Sequence, residues 1–310
     1  MDAEPNKKIT LESSLKAIEI ENFLDRYFYR PVAFRIALAL RHTSITPNMV
    51  TIVSIIVGMT AGSRFYYSDI YSNLAGVLLL VLANTLDCVD GQLARLTGIK
   101  SKIGRILDGF AGDLWFATAY ISICLRLMNE GWPAWIFLLA VLSGYSHSRQ
   151  AAMADYFKNI HLFFIKGESG SELDDSASLQ KKYLQLSWQK EFWEKLFQFF
   201  YRFYTRGQED LLPQANTVRS AVQVRYSSIP QSMTADFKKL SSGAIQWMHT
   251  LAFNGRTPFL FAFVLLDLPW LYFVFEIVLL NLALILGIKS YRKILSQLNL
   301  SLQKGKYDEK

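Results

Sequence analysis

Cysteine is nearly absent from this chain: of 310 residues only Cys88 and Cys124 are cysteines, and both fall in apolar stretches. That excludes a disulfide framework and a thiolate zinc site, and it leaves both residues as small apolar filler. Histidine is almost as sparse. His42, His147, His161 and His249 are scattered without HxxH or HExxH spacing, so zinc chemistry is not indicated. No internal repeat is visible. The first forty residues are charged and amphipathic rather than continuously apolar, so no cleavable signal peptide is expected. Of the eight prolines, Pro133, Pro258 and Pro269 stand at the ends of apolar runs and read as boundaries.

What the chain does have is apolar length. Hydrophobic residues make up 51% and aromatics 14% of the sequence. Several runs reach roughly 20 residues, enough to span a hydrocarbon core. Because lipid cannot satisfy open sheet edges, the expected fold is an all-α integral membrane protein. Six transmembrane helices are expected at 47–66, 73–96, 103–127, 131–150, 246–266 and 269–288. An amphipathic juxtamembrane helix at 15–40 precedes them, with Ile18, Phe23, Tyr27, Phe34 and Leu38 interleaved with Arg26, Arg30, Arg35 and Arg41. The organisation is then a cytoplasmic arm (1–45), helices one to four (46–150), a cytoplasmic insert (151–245), helices five and six (246–288) and a tail (289–310).

Lysine and arginine fix the orientation, because short cytoplasmic loops retain positive charge. With both termini inside, the outer connections hold only Arg64 and Arg126 of the 33 basic residues. The net charge of +7 is thereby explained as a cytoplasmic face meeting anionic lipid or anionic substrates, and no nucleic-acid partner is called for. Within the insert, 167–178 is polar and acidic and reads as a loop. From 188 to 204, Trp188, Phe192, Trp193, Phe197, Phe200, Phe203 and Tyr204 recur at three- and four-residue steps, with Lys190, Lys195, Arg202 and Arg206 between them. That pattern suits either an interfacial helix or a helix packed on a partner helix.

Between the second and third runs lie four aspartates, Asp87, Asp90, Asp108 and Asp113. Ionisable groups at membrane depth are costly and face a cavity or a partner. Asp87 and Asp90 are i and i+3 and share a helix face, with Gly91 beside them and Arg95 one turn further on. Carboxylates gathered in this way need a cation, and hard oxygen ligands favour Mg²⁺, Mn²⁺ or Ca²⁺; Mg²⁺ binds through one or two carboxylates together with substrate phosphates. The arginine would supply charge to such a phosphate. The physical reading is a metal-plus-phosphate site at the membrane surface.

The run Asp87-x2-Asp90-Gly91-x2-Ala94-Arg95-x8-Gly104-x3-Asp108 resembles the signature of the CDP-alcohol phosphotransferase family in every defined residue and spacing up to its last aspartate. Thr46-Pro47-Asn48-x-Val50-Thr51 is similar to the start of that family's first helix. The resemblance covers about residues 20–150. It implies six transmembrane helices behind a juxtamembrane helix. It also implies transfer of a substituted phosphate from a CDP-linked donor to an alcohol, with release of CMP, in phospholipid biosynthesis. By position, Asp87, Asp90 and Asp108 would ligate a pair of Mg²⁺ or Mn²⁺ ions. Asp87, Asp90, Gly91, Ala94, Arg95, Gly104 and Asn48 would line the CDP pocket. The family also admits a homodimer.

The sequence departs from the signature at its last position. The fourth aspartate, a metal ligand and general base in the family, would fall at 112; here Gly112 is followed by Asp113. Four residues along a helix put side chains about 40° apart, and five put them about 140° apart. A π-bulge between Asp108 and Asp113, eased by Gly109 and Gly112, is expected to restore the alignment, leaving Asp113 as catalytic base and fourth ligand. Arg149 and Arg256 are the candidates to hold a phosphate on the acceptor, for which a polyol phosphate such as inositol phosphate or glycerol phosphate is expected. Glu276, a lone acid in an apolar run, has no assigned role. The alternatives are a CDP-headgroup:lipid-alcohol phosphotransferase, a catalytically silent lipid-binding relative and an ion transporter.

Overall fold

The computed structural model describes residues 10, 11, 14, 20–99 and 102–308, without the side chains of 102, 103, 105, 106 and 108; Ile18 of the expected juxtamembrane helix lies outside them. Every regular element among the described residues is helical. Three helices are long and apolar enough to cross a membrane: Ile70–Thr97, Gly109–Asn129 and Trp270–Gln303. The chain divides into two compact units, Met1–Gly144 with Phe259–Phe273, and Tyr145–Pro258 with Val274–Lys310.

In the first unit, a π-helical turn at Asp25–Tyr29 leads into α1 (Arg30–Leu40). Helix α2 (Pro47–Arg64) starts where its sequence says it should. Thr46 caps it by accepting the Met49 N–H, and Pro47 occupies the first turn, where a missing N–H costs nothing. Helix α3 (Ile70–Thr97) is capped by Asp69, which accepts the Ser72 N–H at 2.8 Å, and stops at Gly98 in the left-handed conformation, φ 71°. Helix α4 (Lys102–Asn129) follows. Helix α2 packs against both α3 and α4. Its small residues allow the close approach: a Cβ built on Gly58 would lie 2.2 Å from Trp115 Cδ1, and one on Gly62 2.8 Å from the Ala119 backbone nitrogen.

The end of this unit reached by the start of α3 and the finish of α4 is aromatic. Tyr66 and Tyr67 meet edge to face, Trp132 packs on Trp135 and Trp270, and Asn129 donates to the Tyr66 hydroxyl at 2.7 Å. There too the buried Arg126 pairs with Glu130 at 3.0 Å and with Asp267, itself at φ 63° in the turn after Leu265. Such aromatic belts suit a membrane–water boundary.

The second unit takes in most of α5 (Ile136–Lys166), then α6 (Ser176–Gln185), α7 (Phe192–Leu211), α8 (Gln214–Arg225), α9 (Gln231–Ser241) and α10 (Ile245–Leu251). It shares α11 (Phe253–Leu265) and α12 (Trp270–Phe275) with the first unit and ends in α13 (Asn281–Gln303). Its core stacks Phe157 on Tyr291 with centroids 4.1 Å apart, and Phe164 on Phe237 at the same distance. His161 Nε2 bonds the Tyr291 hydroxyl at 2.8 Å.

Three expectations need correction. The fifth apolar run is not one helix from 246 to 266: Ala252 is extended and separates α10 from α11. Pro258 is no boundary but sits inside α11. Proline cannot donate to the carbonyl four residues back and its ring crowds that carbonyl, so the helix tolerates it only within its first turns and begins five residues earlier, at Phe253. Helix α5 runs past residue 150, where the fourth run was expected to end, to Lys166.

Candidate active site

The signature residues converge at the second half of α3. Asp90 is 4% exposed, and Asp87, one turn earlier, is partly buried. The Thr51 hydroxyl on α2 donates to Asp90 Oδ2 at 2.6 Å across 39 residues of sequence. The Pro47 carbonyl is the hydroxyl's other acceptor within reach, at 3.1 Å. A hydroxyl has one proton, and the shorter contact to Asp90 takes it. Asp90 is therefore held as an acceptor with a fixed orientation. A second interhelical bond, Ser54 Oγ to the Ala83 carbonyl at 3.1 Å, sets the register of α2 on α3 nearby.

Gly91 does not leave its face of α3 empty. A Cβ at that position would sit 3.5 Å from Arg95 Nη2, so the Arg95 guanidinium already lies over the glycine backbone. Arg95 Nε donates to the Ser14 carbonyl, and Gln92, fully buried, donates to the Arg30 carbonyl at 3.1 Å. The N-terminal segment is thus tied to the same face of α3. Behind it, Tyr29, Ala33, Ala37, Val50, Cys88, Val89 and Leu93 form one apolar cluster that fixes the helix. Ala94 is partly buried, and Asn48 lies in the first turn of α2, also partly buried.

Helix α4 supplies Gly104 and Asp108. Gly104 is partly buried in its first turn, and the side chain of Asp108 lies outside the described residues. By helical register position 108 shares a stripe with 111, 115 and 119, all buried against neighbouring elements. The π-bulge expected between Asp108 and Asp113 is not there: α4 is α-helical from Lys102 to Asn129. Glycine lowers the cost of such a distortion, but Gly109 and Gly112 meet no neighbouring group that would force one. Asp113 is exposed and stands about 140° around the helix from Asp108.

The π turns occur elsewhere, at Asp25–Tyr29 and at Glu276–Leu280. The second carries a buried polar network. Glu276 Oε1 lies 3.2 Å from Arg256 Nη1 and 3.0 Å from His147 Nδ1. Gln150 donates to the Glu276 carbonyl and to Asn281 Oδ1, each at 2.9 Å, and Asn281 donates to Ser146 Oγ at 2.9 Å. Arg256 is 1% exposed, with its charge balanced by Glu276. Arg149 is partly exposed and donates to the Gly207 carbonyl at 3.1 Å. The spacing of charges could not reveal the Glu276 partnership, because its members come from three separate segments.

The donor set of Asp87 and Asp90 is all carboxylate oxygen, which fits a hard divalent cation and excludes a thiolate or imidazole metal site. Among the described residues no three His, Cys, Asp or Glu side chains gather closely enough to hold an ion by themselves. Thr51, quoted in the stretch that resembles the family's first helix but given no role there, is the member whose partner sequence reasoning did not foresee.

Residues 44–159 match the family model described as CDP-alcohol phosphatidyltransferase. Archaetidylinositol phosphate synthase of Pyrococcus horikoshii is 40% identical over 91 residues, covering 29% of this chain and 47% of that protein. Bifunctional IPC transferase and DIPP synthase of Aquifex aeolicus is 28% identical over 143 residues, 46% of this chain and 32% of that protein. CDP-diacylglycerol--serine O-phosphatidyltransferase of Mycobacterium leprae is 30% identical over 96 residues, 31% of each chain. In each case the chain spans less than half of the relative's length.

Proposed function

We propose, from the premise that residues 44–159 belong to the CDP-alcohol phosphatidyltransferase family, that this protein is a membrane transferase. It would move a phosphatidyl-type group from a CDP-linked lipid to an alcohol and release CMP. The observation that carries the reading is the oriented Asp90 carboxyl group beside Asp87 on a helix of membrane-spanning length, with Arg95 one turn on. The acceptor we favour is a polyol phosphate. Two of the three relatives above carry inositol phosphate or a bifunctional transferase in their names, as far as those names go.

Asp87, Asp90 and Asp108 would hold Mg²⁺ or Mn²⁺, which when bound neutralises the pyrophosphate and the charge that develops on it. Thr51 keeps the Asp90 carboxyl group aimed, and Arg95 over Gly91 presents its guanidinium to a donor phosphate. Asn48, Ala94 and Gly104 complete the proposed CDP pocket. The alcohol oxygen forms a bond to the lipid-bearing phosphorus as the bond to CMP breaks, and the hydroxyl proton passes to a carboxylate. Asp113 is proposed as that base alone. Two carboxylates 140° apart on one helix do not share a metal ion, and for Asp113 to act as base the acceptor hydroxyl would have to be bound within hydrogen-bond reach of its side of α4. For the acceptor phosphate, Arg149 is put forward over Arg256, whose charge Glu276 already meets.

The proposed membrane arrangement keeps six crossings, with α2, α5 and α11 joining the three longer apolar helices, and both termini and the site on the cytoplasmic side. Residues 23–40 would lie in the interface as the juxtamembrane helix, Phe23, Tyr27 and Phe28 being exposed while Tyr29, Ala33 and Ala37 are buried. The test is CMP release by purified protein in detergent, scanned over CDP-diacylglycerol with inositol phosphate, glycerol phosphate, inositol and serine. Release with a phosphorylated polyol is expected. No CMP from any pair would refute the transferase reading, and release with serine alone would refute the acceptor class.

A further inference from the structure

Helix α7 is built inside out. Going round it, Phe192, Leu196, Phe200, Phe203, Trp193 and Tyr204 fall within one third of the circumference. Trp193 is 73% and Phe203 54% exposed. The opposite face carries polar Gln198 and Thr205, which are 3% and 2% exposed, together with buried Gln208, whose amide donates to the Ala152 carbonyl at 2.7 Å. A helix on a water-washed surface shows the reverse distribution, apolar side inward. Here the polar side is fastened to the protein and the aromatic side is turned out.

The neighbouring elements extend the same face. Leu184 at the end of α6 and Trp188 in the α6–α7 connection are exposed. Between 181 and 206 there are six basic side chains and only two acidic ones. Two of the basic groups are folded onto the rings: Arg202 lies 4.1 Å from the Tyr183 ring centre and 4.8 Å from that of Phe203, and Lys195 lies 4.8 Å from that of Tyr183. Cation and ring held together in this way present one apolar and one positive surface at the same level, which is what a headgroup layer offers in complement. A protein partner of ordinary composition would meet a patch rimmed by charge but would not call for a row of basic residues of one sign. The chain also has helices long enough to cross a bilayer, so such a surface is at hand.

We infer that the α6–α7 hairpin is a membrane-docking element, its aromatic face seated at the acyl–headgroup boundary of an anionic bilayer and its lysines and arginines against lipid phosphates. The family match ends at residue 159, before this hairpin begins, so the inference stands apart from the transferase reading.

The test uses the full chain with single cysteines introduced at Trp193→Cys, Phe200→Cys and Phe203→Cys, labelled with an environment-sensitive NBD probe. Cys88 and Cys124 are buried and are replaced by alanine. Val224→Cys, at a residue that is 90% exposed, serves as the aqueous reference. The protein is reconstituted in phosphatidylcholine vesicles with and without phosphatidylglycerol. The three α7 probes should show blue-shifted emission, quenching by shallow doxyl-labelled lipid and little quenching by iodide, and the Val224 probe should show the opposite. Phosphatidylglycerol should deepen the lipid quenching, and the double variant Lys190→Glu with Arg206→Glu should remove that increment. Iodide quenching of the α7 probes equal to that at 224 would overturn the inference. So would probes shielded from both quenchers that cross-link between copies, which would make the face a contact between two chains. An increment indifferent to phosphatidylglycerol would overturn the anionic part.

Discussion

Replacing Thr51 by valine removes one hydroxyl at almost constant volume and leaves Asp90 without its 2.6 Å donor. Both residues are buried, so no bulk water takes the donor's place. A hydrogen bond to a charged group contributes about 1.5–3 kcal/mol. At 1.4 kcal/mol for each factor of ten, that is about 10–150-fold in the affinity of Asp90 for whatever cation it serves. Groups that orient metal ligands typically cost about 10–100-fold when removed, which agrees. The expected result is a rise of that size in the Mg²⁺ or Mn²⁺ concentration giving half-maximal CMP release, with a smaller change in rate at saturating metal. Mn²⁺ binding followed by electron paramagnetic resonance should weaken in parallel without any substrate. Thr51→Ser keeps the hydroxyl and should stay near the parent. A valine variant with unchanged metal dependence in both measurements would refute the claim that this bond orients a metal ligand.

Three further outcomes follow from the same structure. Asp87→Asn and Asp90→Asn should abolish CMP release while keeping detergent monodispersity; collapse of both would make the aspartates structural. Asp113→Asn should lower the rate by about 10²–10⁴-fold if it is the base, and a variant at full rate would remove it from the mechanism. Gly62→Val should lower the unfolding temperature, because its side chain meets the Ala119 backbone; about 1–3 kcal/mol of overpacking is expected, while Gly144→Ala, with its nearest neighbour at 3.8 Å, should be near neutral.

The helices of the first unit were legible because each carries its own information locally. Apolar length marks α3 and α4, Thr46-Pro47 stands at the start of α2, and the i, i+3 spacing of Asp87 and Asp90 places both on one face. What was not legible depends on partners distant in sequence. Thr51 becomes a site residue only because α2 packs on α3, and Glu276 gains a role only where Arg256 and His147 reach it. The π turn illustrates the same limit. Glycine at 109 and 112 signals that distortion is cheap, yet the distortion sits at Glu276–Leu280, where Gln150 bonds the Glu276 carbonyl and side-chain partners surround the turn. Cheapness is local; the cause is tertiary.

The buried Arg256–Glu276 pair has a consequence for how the chain is made. Helix α11 has 13 residues, about 20 Å of helix, and carries an arginine near its start. Such a segment is a poor candidate for insertion by itself: it is shorter than the hydrocarbon core, and an arginine at membrane depth costs roughly 2.5–3.5 kcal/mol even on insertion scales. The counter-charge arrives 20 residues later in the chain, on the far side of the Asp267 turn. If α11 crosses the membrane as proposed, it would wait at the insertion machinery until Glu276 has been synthesised, and the two segments would leave for the lipid as a hairpin; a chain terminated at the Asp267 turn would then leave α11 uninserted.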